Sequence, residues 1–171
     1  TQWANRAERY IGLFKEGIRR DLSESNSPMR LWDYCAERRA LIHNVTPRDL
    51  FQLNGNTPIT ATLGIQGDIS NICQFQWYEW CYYREEGGNM FPFQKRKLGR
   101  VLGPMKNHGN EMAQAILTID GSVVPRRGVS KISDMEWQKE IEKEKRIKFN
   151  SSIVKIHGVS ITLPERTDRA T

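Results

Sequence analysis

The residues of this chain best suited to chemistry lie near its start. In Asn5-Arg6-Ala7-Glu8-Arg9 a carboxylate sits inside a helical stripe, and Lys15 and Arg19 follow Glu8 at i+7 and i+11. At about 100° per residue, Trp3, Ala7, Ile11, Phe14 and Ile18 fall on one side, which the pattern assigns to the core. Glu8 then lies on the flank, where a carboxylate can reach a metal while its helix stays anchored. Lys15 and Arg19 share that flank, and Gly12, between Glu8 and these bases, leaves the surface open to a closely approaching backbone. An acid, a gap and two bases along one edge suit a metal-bound phosphodiester with duplex lying beyond it. The same spacing has a plainer use. Asn5-x-x-Glu8 is a capping box, with Asn5 as N-cap and Glu8 reaching back to the cap amide, and Lys15 and Arg19 are then a solvated face.

A second set of cations can follow a phosphate backbone. Gln94-Lys95-Arg96-Lys97, with Arg100 and Lys106, forms one basic segment, and Phe91 and Phe93 stand beside it as packing or stacking groups. Arg126-Arg127 adds another patch that folding can bring alongside. Such contacts position a polyanion without reading its sequence. The alternative is a solvated rim of β-turns. Trp77, Trp80, Tyr82 and Tyr83 fit the core of a small sheet better than a stacking platform. Cys35, Cys73 and Cys81 form no C-x-x-C pair, and His43, His108 and His157 do not complete a zinc pattern with them. They read as reduced thiols of a cytosolic or nuclear protein.

A length of 171 residues allows one real core, or a modest core with a small satellite. Twenty-six Lys and Arg against 20 Asp and Glu give a net charge of +6, which favours a polyanionic partner without requiring one. No apolar run approaches the roughly 18 residues that span a bilayer, and the sequence leads to no expectation of a signal peptide. The chain opens at Thr1, already within helical periodicity, as expected of a segment of a longer protein.

The elements that must position these residues derive from periodicity and breakers. The first stripe runs from Trp3 to Leu22 and stops at Ser23-Glu24-Ser25-Asn26-Ser27-Pro28. A second amphipathic helix is expected from about Pro28 to His43, packed antiparallel on the first. Thr57-Pro58 opens a short helix, with Gly64 and Gly67 punctuating the segment after it. Trp77 to Tyr83 is dense in strand formers, the stretch from Glu85 to Asn89 reads as a turn, and Leu98 to Gly103 makes a short strand. Ile116 to Ile119, Asp120-Gly121 and Ser122 to Val124 form a hairpin with a two-residue turn, and Pro125 confines its second strand to an edge. Strands this short and close imply a strongly bent antiparallel sheet or open barrel. Beyond Ile132 the charge run predicts a solvated helix or linker and a mobile tail. The fold class is α+β, divided into 1–72, 73–132 and 133–171.

Asn5-Arg6-Ala7-Glu8-Arg9 resembles the N-x-A-E-R segment opening the last catalytic-core helix of copia-type LTR retrotransposon integrases. The order of later motifs is similar to that family as well. Leu31-Trp32-Asp33-Tyr34-Cys35-Ala36 through His43-Asn44 stands for its second helix, followed by Thr57-Pro58, Gly64 and Asp68-Ile69-Ser70. An aromatic strand, the G-x-x-x-G element within Lys97 to Pro104, and Arg126-Arg127-Gly128-Val129 complete the plan. The resemblance covers about residues 2–132; Trp3-Ala4 and the bulky Trp77-Tyr78-Glu79-Trp80 depart from it.

It implies that 1–72 is the two-helix C-terminal end of an RNase H-like core, with a small β-domain behind it. Glu8 is then the Glu of a D,D-E triad, both catalytic and a ligand of Mg²⁺. The two aspartates would lie upstream and are absent from this chain. The parent Pol protein is thus expected to join element DNA ends to target DNA by metal-dependent transesterification. This fragment is expected to be inactive and only to bind DNA. Lys15, Arg19, Lys95, Arg96, Lys97, Arg100, Arg126 and Arg127 are the candidate DNA contacts. Further implied are self-association of the intact protein, no membrane partner, and a cytoplasmic and nuclear location. A rival from another class is a non-catalytic DNA- or chromatin-binding module derived from a decayed element. A third is a scaffold whose basic charge serves solubility.

Overall fold

The apolar stripe forms α1, Gln2–Glu24, and after a 3-10 turn at Met29–Leu31 the chain continues as α2, Trp32–Val45. The computed structural model describes residues 2–47, 49, 51–85, 96–105 and 112–160. Phe91, Phe93, Lys95 and Lys106, the expected turn at 86–89 and the tail from 161 onward lie outside the described residues. The polar breaker works as its composition requires: Asn26 takes a positive φ of 52°, and the Ser27 amide donates to the Leu22 carbonyl at 3.1 Å.

The two helices pack antiparallel. Ile18 and Leu22 meet Cys35, and Arg39 makes a forked pair with Asp21 at 2.8 and 2.9 Å. Gly17 admits that fork, because a Cβ there would collide with the Arg39 guanidinium. Burial covers only part of the stripe. Ile11, assigned by its phase to the core, is 54% exposed, and Leu13 is 57% exposed. Where the early turns of the 23-residue α1 come level with the end of the 14-residue α2 they stand off from it, Tyr10 and Leu13 lying across an open cleft from Ile42, His43 and Thr46. The short helix α3, Pro58–Leu63, begins as expected at Thr57, whose hydroxyl accepts from the Thr60 amide, and ends at Gly64 with φ 69°. Asp68 turns the chain into α4, Ser70–Cys73, by accepting from the Ser70 amide at 2.9 Å.

Five antiparallel strands come next: β1 Trp80–Arg84, β2 Arg96–Pro104, β3 Gln114–Leu117, β4 Val123–Arg126 and β5 Val129–Lys131. Their order is β4-β3-β2-β1-β5, an open sheet in an α+β fold. Pro125 sits on edge strand β4, where a missing N–H is harmless. Two local expectations change. Trp77 and Tyr78 precede the strand, because Tyr78 adopts φ 59° and its amide bonds the Val101 carbonyl from a turn. The β3–β4 loop is Ile119-Asp120-Gly121, three residues rather than two. Gly121 at φ 80° donates to the Thr118 carbonyl at 3.0 Å, while the Thr118 amide bonds the Ser122 carbonyl at 2.9 Å.

Both sheet faces are covered. Cys81, Tyr83, Val101 and Ile116 form one core with Phe75. On the other side Trp80, Leu102, Ala115 and Leu117 pack with Leu31 and with Phe149 and Ile153. The last two belong to α6, Glu140–His157, which succeeds the short α5, Asp134–Gln138. The charged segment is therefore the helix that its charges suggested, with one side packed on the sheet rather than solvated. Arg146, Phe149 and Ile153 recur on one side of it, hidden among the charges. Arg146 lies 3.9 Å from the centre of the Trp137 ring and donates to the Trp137 carbonyl at 2.8 Å, which fixes α5 to α6. Packing also crosses the boundaries drawn at 72 and 132: Leu31 shares a cluster with the sheet, and Arg38 donates to the Phe75 carbonyl at 2.9 Å. Among the described residues no helix is long and apolar enough to cross a membrane.

Phe149→Ala should lower unfolding stability by about 3–5 kcal/mol, whereas Ile147→Ala on the exposed side should stay within about 0.5 kcal/mol. Urea unfolding of the two variants separates a packed helix from a linker, which would show no difference between them.

Candidate nucleic-acid interface

Because α1 runs unbroken from Gln2, Asn5 lies inside the helix, and it does not cap it. The capping-box use of Glu8 is thereby removed. Glu8, Lys15 and Arg19 are all exposed. At the helical rise, Lys15 stands about 10 Å and Arg19 about 16 Å along the axis from Glu8. Nothing lies within 4 Å of where a Gly12 Cβ would be, so the edge is open between acid and bases. Among the described residues no group of three His, Cys, Asp or Glu side chains could hold a metal ion. One exposed carboxylate does not provide the several oxygens that Mg²⁺ requires, so Glu8 by itself does not make a Mg²⁺ site.

The sheet cations divide by strand parity. Arg100 turns toward α6 and is committed to the protein. Its guanidinium lies 3.5 Å from the centre of the Trp80 ring and 4.3 Å from that of Tyr78. It donates to the Tyr78 carbonyl at 2.8 Å and to Asn150 Oδ1 at 3.3 Å. Burial pushes its pKa down to about 10. Arg96 pairs with Glu136 at 3.4 Å and sits over the Tyr82 ring. Burial, followed by the hydrogen bond to Glu142, pushes the Tyr82 phenol above its ordinary range. Arg127 is exposed in the turn between β4 and β5. Lys95 lies outside the described residues. Trp80, Tyr82 and Tyr83 are buried and Trp77 is half-buried, its indole N–H donating to Ser27 Oγ at 3.1 Å.

Lys97 and Arg126 come together on the Tyr83 side of the sheet, at a cleft of about 500 Å³. Lys97 pairs with Glu85, and Arg126 donates to the Pro125 carbonyl at 2.7 Å. Across the cleft stand Lys145 and Lys148 of α6, which the sequence had placed on a solvated face. The signal that could have found them is the Phe149–Ile153 spacing, since it fixes which side of α6 meets the sheet. Asp120 borders the same cleft. The Thr118 hydroxyl, with further help from Ser122, holds its carboxyl below the ordinary value of 3.8. Cys35, Cys73 and Cys81 are all free, and burial pushes the Cys35 and Cys81 thiols up to about 12.

Arg100→Ala should cost about 2–4 kcal/mol, from two ring contacts and an orphaned carbonyl. Lysine should restore only part of this, because a point charge cannot stack as a planar fork does; thermal unfolding of both variants checks it. The turn should respond to acid. A depressed carboxylate contributes its stabilisation fully above its ordinary pKa and loses it as pH falls through the lowered value. Protection of the Gly121 amide against exchange should therefore decline below 3.8 in the parent chain and be flat across that window in Asp120→Asn. No family model, no curated protein and no solved structure matches this chain.

Proposed function

We propose that the chain is the C-terminal part of a copia-type retrotransposon integrase. In it α1 holds DNA by its phosphates while Glu8 serves as one carboxylate of the intact enzyme's Mg²⁺ site. The observation that carries this reading is the edge of α1. An unbroken helix presents Glu8, the open Gly12, Lys15 and Arg19 in line, all exposed. Tyr10, Ile11 and Leu13 on the early turns are also exposed, an apolar surface suited to further protein of a catalytic core. The succession of helix pair, Asp68-Ile69-Ser70 turn and small sheet supports the same family. On this reading the chain positions DNA, and the chemical step belongs to the intact protein with its two aspartates.

Binding to a mixed-sequence duplex, monitored by fluorescence anisotropy over a salt series, tests the DNA contact. The logarithm of the association constant should fall linearly with the logarithm of salt. The double variant Lys15→Gln, Arg19→Gln should flatten that slope by roughly 2, at about 0.9 per phosphate contact. Glu8→Gln should leave binding intact. A chain that shows no salt-dependent binding at low salt sinks the DNA reading. Glu8 has a separate check: the coding sequence upstream of Thr1 should supply two aspartates on strands, and without them its catalytic role falls.

A further inference from the structure

One half of β2 has a strand on each side and the other half does not. Arg96 to Arg100 pair with β1 along their whole length, but β3 joins β2 only from Arg100 onward. The β3 side of 96–99 therefore has no strand partner among the described residues. The gap is held open. β3 stops at Leu117, and the turn beyond it is anchored to α6, with Ser152 donating to the Ile119 carbonyl at 2.8 Å and His157 Nε2 lying 2.9 Å from the Gly121 carbonyl. The cleft of about 500 Å³ lies at this gap, with room for a short stretch of chain.

We propose that this cleft takes an extended acidic segment of a partner protein, which adds to the sheet as a short strand along the edge of β2 that no described strand covers. Successive residues of a strand face opposite ways, and the cleft is basic on both sides. Lys97 and Arg126 stand on one, Lys145 and Lys148 on the other. The two acids that line it are already engaged, Glu85 by Lys97 and Asp120 by the Thr118 and Ser122 hydroxyls. Arg126 Nε is buried there without a hydrogen-bond partner. The Lys97–Glu85 pair is exposed, so exchanging it for a ligand carboxylate costs little. Leu98, Val124 and Phe149 give the walls an apolar part.

A peptide fits these features better than a nucleic acid does. An open strand edge offers both N–H donors and C=O acceptors, and a peptide backbone satisfies both. A phosphate backbone has no donor for the carbonyls and would face them with its own negative charge.

The test uses the whole chain and a labelled peptide of alternating Glu and Val. Saturable binding is expected, with exchange protection appearing at the Arg96 and Leu98 amides, which alternate with those bonded to β1 and face the open side. Lys148→Glu, at an exposed position, should weaken binding by about tenfold, as expected for loss of a close charge contact. The same peptide N-methylated at alternate residues keeps its charge but cannot pair, and it should not bind. The α1 variants at Lys15 and Arg19 should bind the peptide normally, so this result stands apart from the DNA reading. Absence of saturable binding overturns the proposal. So does equal binding of the N-methylated peptide, or a single-stranded oligonucleotide that occupies the cleft in the peptide's place with the same dependence on Lys148.

Discussion

The guanidinium of Arg100 ties the β1–β2 pair and the turn before it to α6, which no backbone ladder connects to the sheet. It comes from β2, stacks on Trp80 of β1, fastens the carbonyl of Tyr78 in the preceding turn, and reaches Asn150 of α6. The turn needs that fastening. A tyrosine in the left-handed region costs roughly 1–2 kcal/mol, and Tyr78 is also buried. With this turn held, Trp80 enters the sheet in the right phase, and the whole β1–β2 register is set with it. Trp80 then meets Phe149 edge-on at 5.1 Å between ring centres, so the seat of α6 depends on the same clamp.

Features governed by local rules were legible in the sequence. The two long helices, the Thr57-Pro58 start, the hairpin around Asp120-Gly121 and the edge position of Pro125 all derive from periodicity, capping or a missing donor. Features that depend on partners distant in the chain were hidden. Aromatic density from Trp77 suggested a strand, but the backbone reverses at Tyr78 because Val101 and Arg100 hold it there. The alternating charges of α6 concealed three inward residues that have meaning only once a sheet lies beneath them.

The candidate site shows the same division. Lys97 and Arg100 are three apart on one strand and both cationic, yet one lines a cleft and the other lies in an aromatic sandwich. Residue type cannot separate them; strand parity does, and parity requires the register. Glu8 turned on a similar point. Its spacing from Asn5 fits a cap only if the helix begins at Asn5, and α1 begins earlier. The edge holding Glu8, Lys15 and Arg19 was legible because helical phase alone fixes it.

The grip of α6 on the β3–β4 turn bears on how the molecule comes into being. Ser152 and His157 reach back 33 and 36 residues to hold Ile119 and Gly121. Contacts of such span close late, after the entropy of the intervening loop has been lost. During synthesis the hairpin can form on its own, but one face of the sheet has only the Leu31 end of the helix pair to cover it until α6 has left the ribosome. In that interval the cluster of Trp80, Leu102 and Leu117 lacks Phe149 and Ile153, so the nascent chain is most prone to aggregate between completion of the sheet and emergence of α6.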